Sequence, residues 1–220
     1  MTTDTAQTDI IIDNLMTHIP FDGWTDTALN AACADAGCDT DHWRSVFPDG
    51  VSDAISAYGM LADTRMEQAF LAWCSEQGDT HIPTHKKIRQ LILLRLEQAR
   101  PHKEVVRKTL AVLARPQMAP LATHLLYQTI DTMWRAAGDR STDYNFYTKR
   151  ATLSAVYSAT LLAFLSDDSP DNSKTEAFLD RRLKDVAAVP NMTRPVRAAA
   201  EAAGGFARAL ARSMMDRKAR

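Results

Sequence analysis

The chain has 220 residues, 45% of them hydrophobic and 24% charged, and a net charge of −1. These proportions suit one globular domain, or one with a small appendage, and exclude a disordered or collagen-like chain. A net charge near zero also excludes a global field that would draw the whole molecule to nucleic acid or to a membrane.

Three cysteines, Cys33, Cys38 and Cys74, show no framework spacing and read as reduced thiols. The start, MTTDTAQTDI, is polar and acidic, unlike a secretion signal or a mitochondrial leader. The longest nearly apolar run, Ala151 to Leu165, is shorter than the roughly 20 residues a membrane span requires. A cytoplasmic protein is expected.

Helical periodicity recurs along the chain, and no period-two alternation marks a strand. Ile11, Leu15 and Ile19 predict a first helix closed by Pro20. Thr25 caps a second that carries Ala28, Leu29, Ala32 and Ala36 and ends at Gly37. A short third, with Thr40 or Asp41 as its cap, stops at the FPDG turn. A long helix from Val51 to Cys74 follows. Pro83 opens another with Ile88, Leu91, Ile92 and Leu96 inward. Further helices carry Val105, Val106 and Leu110, then Leu121 to Trp134, then Leu153 to Phe164, then Phe178 to Val186. Beyond a linker with two prolines, a last helix is read from Arg197 to Asp216. The prediction is an all-α bundle of about ten helices with short connections. It divides into 1–50, 51–190 and 191–220.

The stretch from Trp24 to Gly50 resembles the N-terminal helix-turn-helix of TetR-type repressors in Thr25, Ala28, Ala32, Ala36–Gly37 and the aromatic second helix ending at Phe47–Pro48. Its charge opposes DNA binding, which draws on Lys and Arg against phosphates. From Met1 to Asp53 there are ten aspartates and one strong base, Arg44, a net of −9. A degenerate helix-turn-helix is expected, with no nucleic acid as partner; the alternative is a TetR-type transcriptional regulator that binds DNA and a small apolar ligand.

The opposite end is basic. Arg194 to Arg220 holds seven bases and two acids, net +5. Phe206, Leu210 and Met214 share a face, and Arg208 and Arg212 lie opposite. A basic amphipathic helix suits an anionic membrane surface, and packing on the bundle is the plainer alternative.

No phosphate loop, nucleophile elbow, zinc signature or di-iron Glu-x-x-His pair is present, so no catalytic residue, cofactor or metal site is read. The bases Lys86, Lys87, Arg89, Arg95, Arg100, Lys103, Arg107 and Lys108 read as a solvated helical face rather than a phosphate patch. Small residues around Leu153, Tyr157, Leu161 and Phe164 allow either close helix packing or a cavity for an apolar ligand.

The most unusual stretch is MWRAAGDRSTDYNFYTKR, Met133 to Arg150, where aromatics alternate with charges. Its bridge is longer than a bundle turn requires, and Ser141 or Asp143 can cap the next helix. Phe146 and Tyr147 point in different directions, so at least one faces outward beside Arg150, in the composition of a contact hot spot.

This stretch, extended to Thr160, resembles the ubiquinone-biosynthesis accessory protein family in Met133, Trp134, Ala137, Gly138, Asp139, Ser141, Asp143, Asn145, Tyr147, Arg150, Leu153, Val156 and Tyr157. FLSDDSPD (Phe164 to Asp171) and FLDRRLKDV (Phe178 to Val186) continue the pattern.

The resemblance implies a homodimeric TetR-like fold that is not an enzyme. It implies a pocket for isoprenoid lipids or quinone intermediates, placed on Leu126, Ile130, Leu153, Tyr157, Leu161 and Phe164. It implies a surface that docks a ubiquinone-biosynthesis hydroxylase, placed on Met133, Trp134, Asp139, Tyr144, Asn145, Phe146, Tyr147 and Arg150. It also implies peripheral attachment to the inner membrane through Phe206, Arg208, Leu210, Arg212 and Met214. Animal members commonly carry Trp where this chain has Phe146.

Overall fold

The computed structural model describes residues 2–78, 81–139 and 144–188. Two compact units are formed, Met1–Leu179 and Asp180–Arg220. Of the second, 180–188 is described and is helical, with an Arg182–Asp185 ion pair one turn apart. The terminal helix read at Arg197 to Asp216, and with it Phe206, Arg208, Leu210, Arg212 and Met214, lies outside the described residues. So do the caps read at Ser141 and Asp143.

The first unit is all-α among its described residues, as its periodicity predicts. Its helices are α1 (Thr2–Asp22), α2 (Asp26–Asp35), α3 (Trp43–Val46), α4 (Val51–Glu76), α5 (Thr84–Ala99), α6 (Lys103–Leu113), α7 (Ala119–Ala136) and α8 (Tyr144–Leu165). Residues 173–179 are helical again. With the two 3-10 turns at Arg100–His102 and Pro116–Met118, this comes close to the ten helices expected. α1 packs on α2, α4 on α5 and α7, and α7 on α8.

The N-terminal helices share one core with the start of α4 and with α6. Ile11, Leu15, Ile19, Leu29, Trp43, Ile55 and Val105 are all buried in it. Trp24 closes it and donates its indole N–H to Thr109 Oγ1 on α6 at 2.9 Å. Thr25 caps α2 as expected, accepting from the Ala28 amide. Gly37 ends it at φ +72 with a Schellman pair, Gly37 N–H to Ala34 O and Cys38 N–H to Cys33 O.

Three local readings need correction. α1 passes through Pro20 to Asp22, because one missing donor near a helix end can be tolerated. α3 begins at Trp43, with His42 at the cap position and no side-chain cap from Thr40 or Asp41. It is a single turn because Phe47 precedes Pro48, and a residue before proline is pushed out of the helical region. A recognition helix one turn long carries few side chains into a groove. Its one base, Arg44, lies 3.9 Å from Asp26 and 3.7 Å from Asp41.

The basic stretch is the third correction. Arg95 is buried with Asp63. Arg89 pairs with Glu176. Lys103 Nζ donates to Asp167 O at 2.6 Å and Arg107 Nη2 to Leu165 O at 2.7 Å. These two cations satisfy carbonyls around the end of α8, where the helix dipole favours positive charge. Several members of the apparent solvated face are therefore structural.

After α8, Asp167 organises the turn. Its carboxylate accepts from the amide and hydroxyl of Ser169 and from the amide and hydroxyl of Thr175, the last two at 2.7 Å each. Burial alone would raise this carboxyl. The bonds from Ser169 and Thr175 outweigh it and hold the group far below the usual carboxylate range. A carboxyl held low contributes stability that is present above its unfolded value of about 3.9 and is lost as pH falls through the folded value. Asp167→Ala is expected to cost about 1–3 kcal/mol at neutral pH. It should also flatten the loss of stability on acidification below about pH 4, read by urea denaturation across the acid range.

Candidate functional site

A cavity of about 450 Å³ lies among α4, α5, α6, α7 and α8. Its wall is mainly apolar: Leu110 and Leu113 from α6, Leu125 and Leu126 from α7, Leu161 and Leu162 from α8. The space exists because small groups stand where large ones would close it. Gly59 on α4 has no side chain, and a Cβ there would meet Leu125 Cδ2 at 3.3 Å. Ala122 and Ser158 do the same on α7 and α8. The small-residue stripe of α8 thus lines a cavity at Ser158.

Of the residues assigned to a lipid pocket, Leu126, Tyr157 and Leu161 are in this wall. Ile130 and Leu153 are core residues away from it. Phe164 is fully buried and borders a smaller cleft, with the Lys103 ammonium 4.4 Å from its ring centre.

One part of the wall is polar, and it was missed in the sequence. Arg95 on α5 borders the cavity and donates through Nε to Asp63 Oδ1 on α4 at 3.1 Å. Thr129 on α7 donates its hydroxyl to Asp63 Oδ2 at 2.8 Å. The Arg95 and Asp63 side chains are 11% and 10% exposed, so this is an interior ion pair. Burial raises the Asp63 carboxyl, against Arg95 and Thr129. Burial works against the Arg95 charge as well, but it is outweighed and the pKa is held above the ordinary value; with both neighbouring phenols neutral, the Asp63 carboxylate is the charged partner. Burial also raises the phenols of Tyr58 and Tyr157, so both remain neutral O–H groups. A signal for the pair did exist. Arg95 interrupts the apolar stripe Ile88, Leu91, Ile92, Leu96, and Asp63 lies one turn before Met66 on the buried face of α4.

The second constellation is the corner between α7 and α8. Gly138, at φ +89, ends α7 in a Schellman motif, with Asp139 N–H to Trp134 O and Gly138 N–H to Arg135 O, both 2.9 Å. That turn brings the Asp139 carboxylate to α8, where Lys149 Nζ donates to it at 2.8 Å. Arg150 lies between two carboxylates, giving Asp131 Oδ1 bonds of 2.8 and 2.6 Å and standing 3.6 Å from Asp139. Its guanidinium covers the Phe146 ring at 3.4 Å from the centroid.

These contacts alter the reading of the corner. Met133 and Arg150 are buried, and the Asp139 side chain is only 7% exposed. Arg150 is not displayed beside an outward aromatic; it is the pin beneath one. Tyr147 is the outward residue, 72% exposed, with its ring edge-on to Phe146 at 5.2 Å. Trp134 Nε1 is buried without a hydrogen-bond partner among the described residues. Tyr144 and Asn145 stand in the first turn of α8, and their side chains lie outside the described set.

The COQ9 family model matches residues 119–190. The chain is similar in sequence to COQ9 proteins. It is 29% identical over 198 residues to "Ubiquinone biosynthesis protein COQ9, mitochondrial" of Rattus norvegicus, covering 87% of this chain and 62% of the relative. The Homo sapiens protein of the same name is also 29% identical, with 61% of its length covered. COQ9-B of Xenopus laevis is 36% identical over 120 residues, 54% of this chain and 41% of that protein. The chain thus spans about three-fifths of the mammalian relatives it matches. Among solved structures, the TetR transcriptional regulator from Nitrosomonas europaea ATCC 19718 superposes with a TM-score of 0.63 at 20% identity, over 83% of this chain and 98% of that one. The fold is TetR-like.

The COQ9-matched region supplies the α7 and α8 walls of the cavity and the whole described corner. Among the described residues, no helix is long and apolar enough to cross a membrane.

Removing one partner of the interior ion pair leaves a buried charge uncompensated. Arg95→Met alone is expected to destabilise the protein by about 3–5 kcal/mol. The double variant Asp63→Leu/Arg95→Met, with an apolar pair in the same volume, should recover most of that loss. Denaturant melts of the three proteins measure both effects.

Proposed function

We propose that the protein is a non-catalytic accessory factor of ubiquinone biosynthesis. It holds an isoprenoid quinone intermediate in the α4–α8 cavity and presents it to a ring hydroxylase at a membrane surface. The observation that carries the reading is the apolar cavity whose α7 and α8 walls come from the COQ9-matched region. The names of the relatives supply the pathway. A cavity of this volume is within the ordinary range for small-molecule sites, with few polar groups among many apolar ones.

In this reading residues 51–190 hold lipid and form a homodimer, and the basic tail, net +5 from Arg194 to Arg220, attaches peripherally to anionic lipid at the inner membrane. The hydroxylase docks on the corner. Exposed Tyr147 is the contact, supported from beneath by Phe146 and the Asp131–Arg150–Asp139 cluster. Nucleic acid is not a partner, given the −9 charge of the N-terminal 53 residues.

Native mass spectrometry of the purified protein is expected to show a co-purifying isoprenoid or quinone. Leu126→Trp, which fills the cavity, should remove it, and a wild-type protein that is always empty would sink the reading. Deleting 194–220 should abolish pelleting with anionic liposomes. Tyr147→Ala should weaken hydroxylase capture about tenfold or more, as loss of an aromatic hot spot does, while leaving the melting temperature nearly unchanged.

A further inference from the structure

The cavity is not uniform, and its one polar region says which end of a ligand goes where. Arg95 stands in the wall beside Tyr58, Tyr157 and Thr129, while the opposite walls are leucines of α6, α7 and α8. We infer that this wall is the head-binding end of the cavity, with Arg95 donating to a neutral oxygen acceptor on the ring of a lipid whose tail lies against Leu126 and Leu161.

Three observations carry the argument. A guanidinium has five N–H donors; its bond to Asp63 uses Nε alone and Tyr58 takes one further hydrogen bond, which leaves donors for a ligand. The surrounding polar groups, Tyr58, Tyr157 and Thr129, are hydroxyls, able to orient an oxygen-bearing ring. Asp63 already balances the Arg95 charge. An anionic phosphate would therefore enter an interior with no net positive charge to receive it, at the desolvation cost of a buried ion. A carbonyl or methoxy oxygen brings no such cost. The wall thus selects a neutral ring over a phospholipid head, and Arg95 is the residue that distinguishes them.

The inference rests on the lipid-holding reading of the cavity, and the test separates the two. Equilibrium dialysis of the full chain would use three probes: a decyl-tailed dimethoxybenzoquinone, decylbenzene, and a short-chain phosphatidylglycerol. The wild type is expected to bind the quinone about ten- to a hundredfold more tightly than decylbenzene, the factor set by a charge-assisted hydrogen bond, and more tightly than the phospholipid. Asp63→Leu/Arg95→Met, which avoids a stranded charge, should bring the quinone down to the decylbenzene level and leave decylbenzene unchanged. Tyr157→Phe, a milder variant that keeps the ion pair, should give a smaller loss for the quinone alone.

Equal binding of quinone and decylbenzene by the wild type would overturn the head assignment and leave the cavity reading standing. So would unaltered preference in the double variant, an equal loss of both probes, or tighter binding of the phospholipid. Failure of the wild type to bind any of the three would overturn the cavity reading itself.

Discussion

The interior ion pair between Asp63 and Arg95 constrains the centre of the bundle more than any apolar contact does. Leucines tolerate sliding and repacking, but a carboxylate and a guanidinium buried together must stay in register or lose several kcal/mol of compensation. The Thr129 hydroxyl extends the requirement to a third helix, so α4, α5 and α7 are held in one alignment. The cavity opens directly beside that alignment. An apolar space of about 450 Å³ would tend to collapse if its walls moved freely. Polar pinning on one side and Gly59 against Leu125 on another help to keep it open.

The same device recurs where helices end. Lys103 and Arg107 satisfy carbonyls at the end of α8, Asp167 gathers the amides and hydroxyls of the following turn, and the corner seats Arg150 between Asp131 and Asp139. In each case a charged side chain satisfies or pairs polar groups at a helix end: Lys103, Arg107 and Arg150 reach across from another helix, and Asp167 acts within its own turn. The corner is therefore rigid beneath and exposed at one aromatic above. That arrangement suits a contact surface, since a pre-organised support lowers the ordering cost of association.

In the N-terminal helices, packing and surface charge are set independently. Their TetR-like arrangement is maintained by a common core with α4 and α6 and by the Trp24–Thr109 hydrogen bond, none of which depends on surface charge. The surface is acidic, and α3 is one turn long. Packing preserves the architecture, while the electrostatics that DNA requires are absent.

The sequence alone determined the all-α class, most helix boundaries and the family resemblance, because these follow from local periodicity, caps and one contiguous motif. Thr25, Gly37 and the Phe47–Pro48 stop act within a few residues of themselves. Tertiary structure alone decided which polar residues are interior. Arg95 reads as one more base on a helical face until α4 supplies Asp63 32 residues away, and Arg150 reads as a surface hot spot until α7 supplies Asp131 19 residues away. It also decided between packing and cavity on α8. Small residues permit both, and the outcome depends on what the facing helices present: Gly59 and Leu125 on one side, Arg95 on the other. Periodicity reports which face of a helix turns inward, but a charge is paired, and a cavity closed, only by residues distant in the chain.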